Sequence, residues 1–271
     1  MPAFKTDILS VFRKPSNVKY YAQLTGLQIA EQVIFRRFQS ELGGKKILDI
    51  GVGAGRTVPF LLALGEGYVG IDIAPEMVDH CRRKFPTGNF AVCSAMDLSR
   101  FADSEFDMAL FSFNGLDYPD HNGRLQALGE IHRILAPGGL FVFSSHNRAC
   151  RPAAPPWEIR SMNLDPVRRP RHTLRTLAGL LPSSVNHLRM KPFESEHENY
   201  SLRNDSAHFY SLLIYYISIP DQIRQLEYSG FGSIEPVALD GRWLRPGEWA
   251  ETVDDPWIYY VCRKSIKSEL I

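Results

Sequence analysis

Ile47-Leu-Asp-Ile-Gly-Val-Gly-Ala-Gly-Arg56, with Tyr68-Val-Gly-Ile-Asp72 shortly after it, is the stretch whose reading decides the fold. Lys46 to Ile50 is a short apolar run, too brief for a helix and closed by glycines, which suits a strand buried on both faces. Thr57 to Leu64 reads as a helix and Tyr68 to Asp72 as a second strand ending in a carboxylate. Ala74 to Phe85 follows as a helix with Pro75 near its first turn, where a missing N–H costs little. Glycines at alternate positions, Gly51, Gly53 and Gly55, let the backbone bend sharply and approach a ligand where a Cβ would collide. Such a strand, turn, helix and strand is built to hold an adenosine-containing cofactor.

Downstream the alternation continues: strand Phe90 to Cys93, strand Phe106 to Ser112, a helix over Gly123 to Leu135 stopped by Ala136-Pro-Gly-Gly139, and strand Leu140 to Ser144. Strands alternating with helices imply an α/β fold, a parallel sheet with helices on both faces. Upstream, Ile8 to Leu42 carries apolar residues at helical spacing (Leu24, Leu27, Ile34, Phe35, Phe38) before the stop Gly43-Gly44, predicting one or two leading helices. After His146-Asn147 the pattern breaks into a stretch rich in arginine, proline and serine that lasts to about Ser206, read as an insertion or cap. A helix over Asp221 to Tyr228, a strand over Ser233 to Leu239 and a last strand over Trp257 to Arg263 complete the sheet. One domain is expected, divided into leading helices (1–44), cofactor-binding core (45–147), substrate cap (148–206) and the C-terminal part of the sheet (207–271).

The neighbours of the glycine turn narrow the cofactor. A dinucleotide GxGxxG would need glycine at position 56, where this chain has Arg56, and has no use for the carboxylate Asp49 in front. Asp49 would repel a pyrophosphate but welcome a cationic ligand. Asp72 lies 17 residues beyond Gly55, at the strand end where an acidic side chain can accept hydrogen bonds from both hydroxyls of a ribose.

On these residues the chain resembles the class I S-adenosylmethionine-dependent methyltransferases. The family's DxGxGxG matches Asp49, Gly51, Gly53 and Gly55, its acidic second-strand residue matches Asp72, and its third-strand segment matches Ser94-Ala95-Met96-Asp97. Its fifth-strand signature looks like Ile134-Leu-Ala-Pro-Gly-Gly139. The likeness implies a Rossmann-like, doubly wound, seven-stranded, mostly parallel sheet with an antiparallel C-terminal strand. It also implies S-adenosyl-L-methionine as cofactor, held by those residues with Arg56, Ile73, Met77 and Phe111. Tyr20 and Tyr21 in the leading helices either close over the cofactor or pack. Where relatives often carry an aspartate for the adenine amino group, this chain has Ser94, so that contact passes to Ser94, to Asp97 or to the backbone at Ala95 and Met96.

Members of that family transfer a methyl group by in-line displacement, with a base required only when the nucleophile is protonated. In an open parallel sheet the loops after the strands supply the candidates. Asn114, Asp117 and Tyr118 after the fourth strand are candidates to face the methyl acceptor, and His146 after the fifth is the one obvious general base. Asn114 and Asp117 have the alternative of satisfying turn backbone, and His146 of being structural. In the cap, Arg168, Arg169, Arg171 and Arg175 either clamp an anionic group or form a solvated face. Trp157, Tyr200, Phe209, Tyr210, Tyr215 and Tyr216 either wall an apolar acceptor or belong to the core.

Composition excludes several classes. With 31 basic and 30 acidic residues, the net charge of +1 gives no overall field toward nucleic acid or an anionic membrane. The adenine- and glutamine-methylating Asn/Asp-Pro-Pro-aromatic run is replaced by Asn114-Gly-Leu116, which disfavours base-flipping chemistry. Four scattered cysteines without a CxxC pair argue against disulfides and zinc, and no metal is expected. No leader or spanning segment is read from the sequence, so a cytoplasmic location and no membrane partner are expected. The leading reading is a methyltransferase acting at oxygen or nitrogen of a small metabolite, as monomer or homodimer. Methylation of RNA or protein, a non-catalytic cofactor-binding protein, and an NAD-dependent oxidoreductase, disfavoured by Asp49 and Arg56, are the alternatives.

Overall fold

A computed structural model describes residues 8–150, 154–158 and 170–266. The strands β1 (Lys46–Ile50), β2 (Gly67–Asp72), β3 (Asn89–Val92), β4 (Phe106–Phe111) and β5 (Leu135–Asn147) run parallel in the order β3-β2-β1-β4-β5. β9 (Phe231–Val237) and β10 (Trp257–Lys264) close the far side, β10 lying antiparallel between β5 and β9. These are the seven strands the sequence pattern implies.

Alternate residues of each strand enter opposite layers of the core, because successive side chains leave opposite faces of a sheet. Ile47, Met108, Leu140, Val142, Tyr259 and Val261 pack against Ile34, Phe35, Phe38 and Leu42 of α3 (Ile29–Leu42). Leu48, Ala109, Phe141, Phe143, Tyr260 and Cys262 pack against Ala127, Leu128, Ile131 and Ile134 of α6 (His121–Ile134) and Leu226 of α8 (Ile219–Tyr228). Burying each such side chain contributes about 1.5–3 kcal/mol, so these two layers fix the sheet. The leading segment holds three helices, with α1 (Ile8–Phe12) and α2 (Pro15–Ala22) ahead of α3. Proline starts α2 and lies at the first turn of α4 (Val58–Leu64) and α5 (Pro75–Lys84).

The region after β5 adds three strands to the same sheet. β6 (Ser195–Glu196), β7 (Tyr200–Asn204) and β8 (Leu213–Ile217) form an antiparallel set, and β8 pairs in parallel with His146 and Asn147 at the tip of β5. Since β10 occupies the other edge of β5 from Leu140 to His146, β8 takes the edge that β4 vacates after Phe111. The insertion is thereby moored over the carboxyl ends of the strands. It is reached through α7 (Pro170–Met190). Arg168 and Arg169 lie outside the described residues, as do the side chains of Arg171 and Arg175. Among the described residues no helix is long and apolar enough to cross a membrane, and no group of side chains could hold a metal ion.

Candidate active site

A cavity of about 1080 Å³, including its open mouth, lies at the carboxyl ends of β1, β2, β3 and β4. Tyr21, Asp49, Gly51, Gly53, Arg56, Asp72, Ile73, Met77, Ser94, Ala95, Met96 and Phe111 all line it. Asp97 is exposed outside it, its carboxylate accepting from the Ser99 N–H (3.2 Å). Gly55 supports the turn from behind rather than lining the cavity: at φ +85°, a Cβ there would lie 2.4 Å from the Phe85 ring. Gly51, at φ +65°, lets the Phe111 ring approach to where a Cβ would be 2.9 Å away. Gly55→Ala should therefore cost about 2–4 kcal/mol through strain and overpacking, read as a lower urea midpoint.

Two buried carboxylates organise the turn. Asp72 accepts from the Gly53 N–H (2.9 Å) and the Ala74 N–H (2.8 Å), tying the turn to the end of β2. Asp49 accepts from Thr57 Oγ1 (2.6 Å) and the Tyr68 hydroxyl (3.1 Å), both on the same oxygen. Burial pushes Asp49 up to about 7, against those two hydrogen bonds and Arg56, and Asp72 up to about 6, against its backbone N–H donors. Their hydrogen-bond partners are hydroxyls and amides, so neither is paired to a cation.

The guanidinium of Arg56 stands at the cavity wall but is committed elsewhere. It donates to both oxygens of Glu31 (2.6 Å each), to the Gly26 carbonyl (3.0 Å) and to Ser112 Oγ (3.0 Å). Glu31, fully buried on α3, also accepts from Ser112 Oγ and the Tyr259 hydroxyl (3.0 Å), and caps its own helix by accepting from the Gln28 N–H (2.7 Å). Burial alone would raise the Glu31 carboxyl, but Arg56 holds it below the usual range. Its partner's charge is thus neutralised inside the protein.

Beside the cavity lies a second cluster. His146 donates its Nδ1–H to Asp117 Oδ2 (2.7 Å), which also accepts the His146 backbone N–H (2.7 Å). The other Asp117 oxygen accepts from Arg124 (2.5 Å) and Ser145 Oγ (2.6 Å). Asp117 is 1% exposed and does not face an acceptor: it orients His146. Burial would raise Asp117, and Arg124 with His146 keeps it below its ordinary value. Arg124 is itself sealed among Leu116 O (3.0 Å), Gln222 (2.5 Å) and Gln225 (2.9 Å), with the Tyr215 ring 4.4 Å away.

With its Nδ1–H committed, His146 presents the lone pair of Nε2. The Asn114 Nδ2 amide donates to it at 3.4 Å, and Asn114 Oδ1 is buried with no hydrogen-bond partner. Asn114 takes a left-handed φ of 61°, its backbone N–H donating to Ser144 Oγ (2.9 Å). Neither His146 nor Asn114 lines the cavity, but Phe113 and Gly115 on either side of Asn114 do. Tyr216 from β8 sets its ring 5.1 Å from His146, while Tyr215 lies in the core and Trp157 and Phe209 are exposed. Near the mouth, His208 reaches the hydroxyls of Tyr21 (3.4 Å) and Tyr118 (3.5 Å), and burial together with Lys14 pushes it down to about 4.

Glu31, Arg124 and His208 as site neighbours did not emerge from the sequence, whereas Tyr216 was among the aromatics offered there for the acceptor wall. The signal for the first two is periodic: Glu31 shares a helical stripe with Ile34, Phe35 and Phe38, and Arg124 with Ala127, Leu128 and Ile131. A charge on an apolar stripe requires a buried counter-ion.

Residues 47–139 match the family described as "Methyltransferase domain". Over 108 residues the chain is 36% identical to a demethylmenaquinone methyltransferase of Thermus thermophilus, covering 38% of this chain and 47% of that protein. It is 30% identical over 126 residues to a fatty-acid O-methyltransferase of Mycolicibacterium smegmatis, covering 44% of this chain and 43% of that one. The chain thus spans about half the length of these relatives. Its fold is shared with a Burkholderia thailandensis 1,6-didemethyltoxoflavin-N1-methyltransferase, at TM-score 0.56 and 15% identity over 96% of this chain and 86% of that one. An S-adenosylmethionine-dependent methyltransferase from Mesorhizobium loti gives TM-score 0.56 at 20% identity, over 86% and 97%.

Proposed function

We propose that this chain, whose residues 47–139 form a methyltransferase-type domain, binds S-adenosylmethionine in the cavity and transfers its methyl group to an oxygen or nitrogen of a small-molecule acceptor. The observation that carries this reading is the pair of buried carboxylates, Asp49 and Asp72, bonded to hydroxyls and amides and left without a cation. Asp49 would meet the cationic amino-acid end of the ligand through Oδ1, since both of its hydrogen bonds fall on Oδ2, and Asp72 would meet the ribose hydroxyls, since each of its oxygens accepts one of the two N–H groups and has a lone pair left. Ile73, Met77, Ala95, Met96 and Phe111 offer an apolar slot for the adenine. When bound, the cofactor supplies a methyl carbon on a positively charged sulfur.

The remaining work falls to the chain. His146 Nε2, oriented by Asp117, would take the proton of an acceptor hydroxyl, or that of an acceptor ammonium before its nitrogen can act as nucleophile. Asn114 Oδ1, buried and unpartnered, would accept a hydrogen bond from the acceptor and hold it against His146. Segment 148–206 together with β8 acts as the cap on the acceptor side, bringing Tyr216 to His146. Water exclusion and alignment then carry most of the acceleration.

Titration calorimetry tests the reading directly. S-adenosylmethionine should bind and NAD should not; NAD binding alone would sink it. Binding should also depend on pH. The carboxylate forms bind the cation, and with Asp49 at about 7 the site is mostly protonated at pH 6 and mostly ionised at pH 8. Affinity should rise by about tenfold over that interval, with proton release on binding. A flat profile would remove Asp49 from the site.

A further inference from the structure

Helix α7 is inverted. A surface helix of a water-soluble protein buries its apolar stripe and exposes its polar one. Here Thr173, Ser183 and His187 are buried along with Met190, while Leu174, Leu177, Leu181, Val185 and Leu188 point outward, Leu174, Leu181 and Leu188 at 70%, 75% and 63% exposure. On the buried polar face His187 Nδ1 meets Asn204 Oδ1 (2.8 Å), while Thr173 Oγ1 is buried without a hydrogen-bond partner. The Phe209 ring lies over Gly179, where a Cβ would come within 2.9 Å of it. The helix is therefore fixed in this rotation by its own contacts. Its apolar row runs from Leu174 to Leu188, 14 helical steps and about 21 Å at the rise of an α-helix.

Charge identifies what covers that row. α7 holds Arg171, Arg175 and Arg189 and not one acidic residue, and Arg168 and Arg169 precede it directly in the sequence. From Arg151 to Lys191 there are eight arginines and lysines against two acidic residues, in a chain whose net charge is only +1. A second copy of the same helix would set arginine against arginine with no carboxylate to pair them, so self-association across this face is opposed. An exposed leucine row in a segment this rich in arginine is complementary in chemistry to an anionic lipid surface.

We propose that α7 is a membrane-surface helix by which this protein docks peripherally on anionic bilayers. This stands apart from the catalytic reading, because no residue of the row touches the cavity or His146. The expectation of no membrane partner rested on overall charge and on the lack of a spanning segment; surface docking requires neither a spanning helix nor a net field, because the mean charge conceals a strongly basic segment.

The test is co-sedimentation of the full chain with phosphatidylglycerol-containing vesicles and with pure phosphatidylcholine vesicles. The protein should sediment with the former, less so at high salt, and Leu177→Glu with Leu181→Glu should lower the partition coefficient by about tenfold or more. Both side chains are exposed, so the variant should keep the parent's melting curve; should it not, Arg189→Glu, also exposed, must weaken the same partition. Absence of sedimentation with anionic vesicles, or equal sedimentation of parent and variants, overturns the proposal. So does light scattering that shows a dimer which the leucine substitutions dissociate, since that would give the row to a second copy.

Discussion

His146→Gln is expected to lower kcat by roughly 10²–10⁴ while S-adenosylmethionine binds as tightly as to the parent. The split follows from position. His146 stands behind the cavity wall formed by Phe113 and Gly115, so it does not contribute to holding the cofactor. Asp117 takes the Nδ1–H at 2.7 Å and fixes the tautomer, which leaves Nε2 as the basic nitrogen proposed to serve the acceptor. Asp117→Asn should lose a comparable factor through a different cause. An amide can donate to Nδ1, which moves the ring proton to Nε2 and removes the lone pair, as in other carboxylate–histidine pairs. Asp117→Asn also leaves Arg124, fully buried, with only neutral partners, so its stability should fall where that of His146→Gln does not. A His146→Gln enzyme with unchanged kcat would show that the acceptor arrives already deprotonated, and would leave His146 a structural residue.

What the sequence disclosed and what it withheld divide along physical lines. The core strands were legible because a strand buried on both faces is nearly all apolar, and Ile47 to Ile50 and Phe106 to Phe111 each carry a single carboxylate, Asp49 and Asp107, in an otherwise apolar run. The glycine turn was legible because only glycine tolerates the backbone it requires. The edges of elements were less so: β5 begins at Leu135 and runs through Pro137-Gly138-Gly139, because Leu135 pairs with Phe106 before the strand proper resumes at Leu140. Leu213 to Ile217, to which the sequence pattern assigned no element, forms β8, since a strand's partner is set by what edge is vacant in three dimensions and not by its own composition. Asp49 and Asp72, both in the motif, line the cavity at the strand ends. Asp117 was found as a position but not as a role, because a carboxylate after a strand looks the same whether it faces ligand or turns inward to Arg124.

Arg56 illustrates the same boundary and leads to the largest stability effect. It adjoins the glycine motif, and in the sequence a cation there reads as a ligand-facing group. In the structure it is one half of a buried ion pair whose other half, Glu31, lies 25 residues upstream on α3. Glu31→Ala should destabilise the fold by about 3–5 kcal/mol, because it strands the guanidinium, whose side chain is only 12% exposed, without a counter-ion. It also removes the acceptor for Ser112, Tyr259 and the Gln28 N–H. The pair is linked to pH through Glu31, whose folded-state acidity is stronger than in the unfolded chain. Its contribution is therefore complete above the ordinary glutamate value and is lost as pH falls through the lower, folded value. Urea midpoints of the parent should fall in that acid range more steeply than those of Glu31→Ala. The double variant Glu31→Gln with Arg56→Met distinguishes a pair from two independent residues. Removing both charges at once abolishes the stranded cation, so its loss should be well below the sum of the single variants. If the losses simply add, the two side chains are not coupled and the anchoring of α3 to the glycine turn must rest on the apolar contacts of Ile34, Phe35 and Phe38 alone.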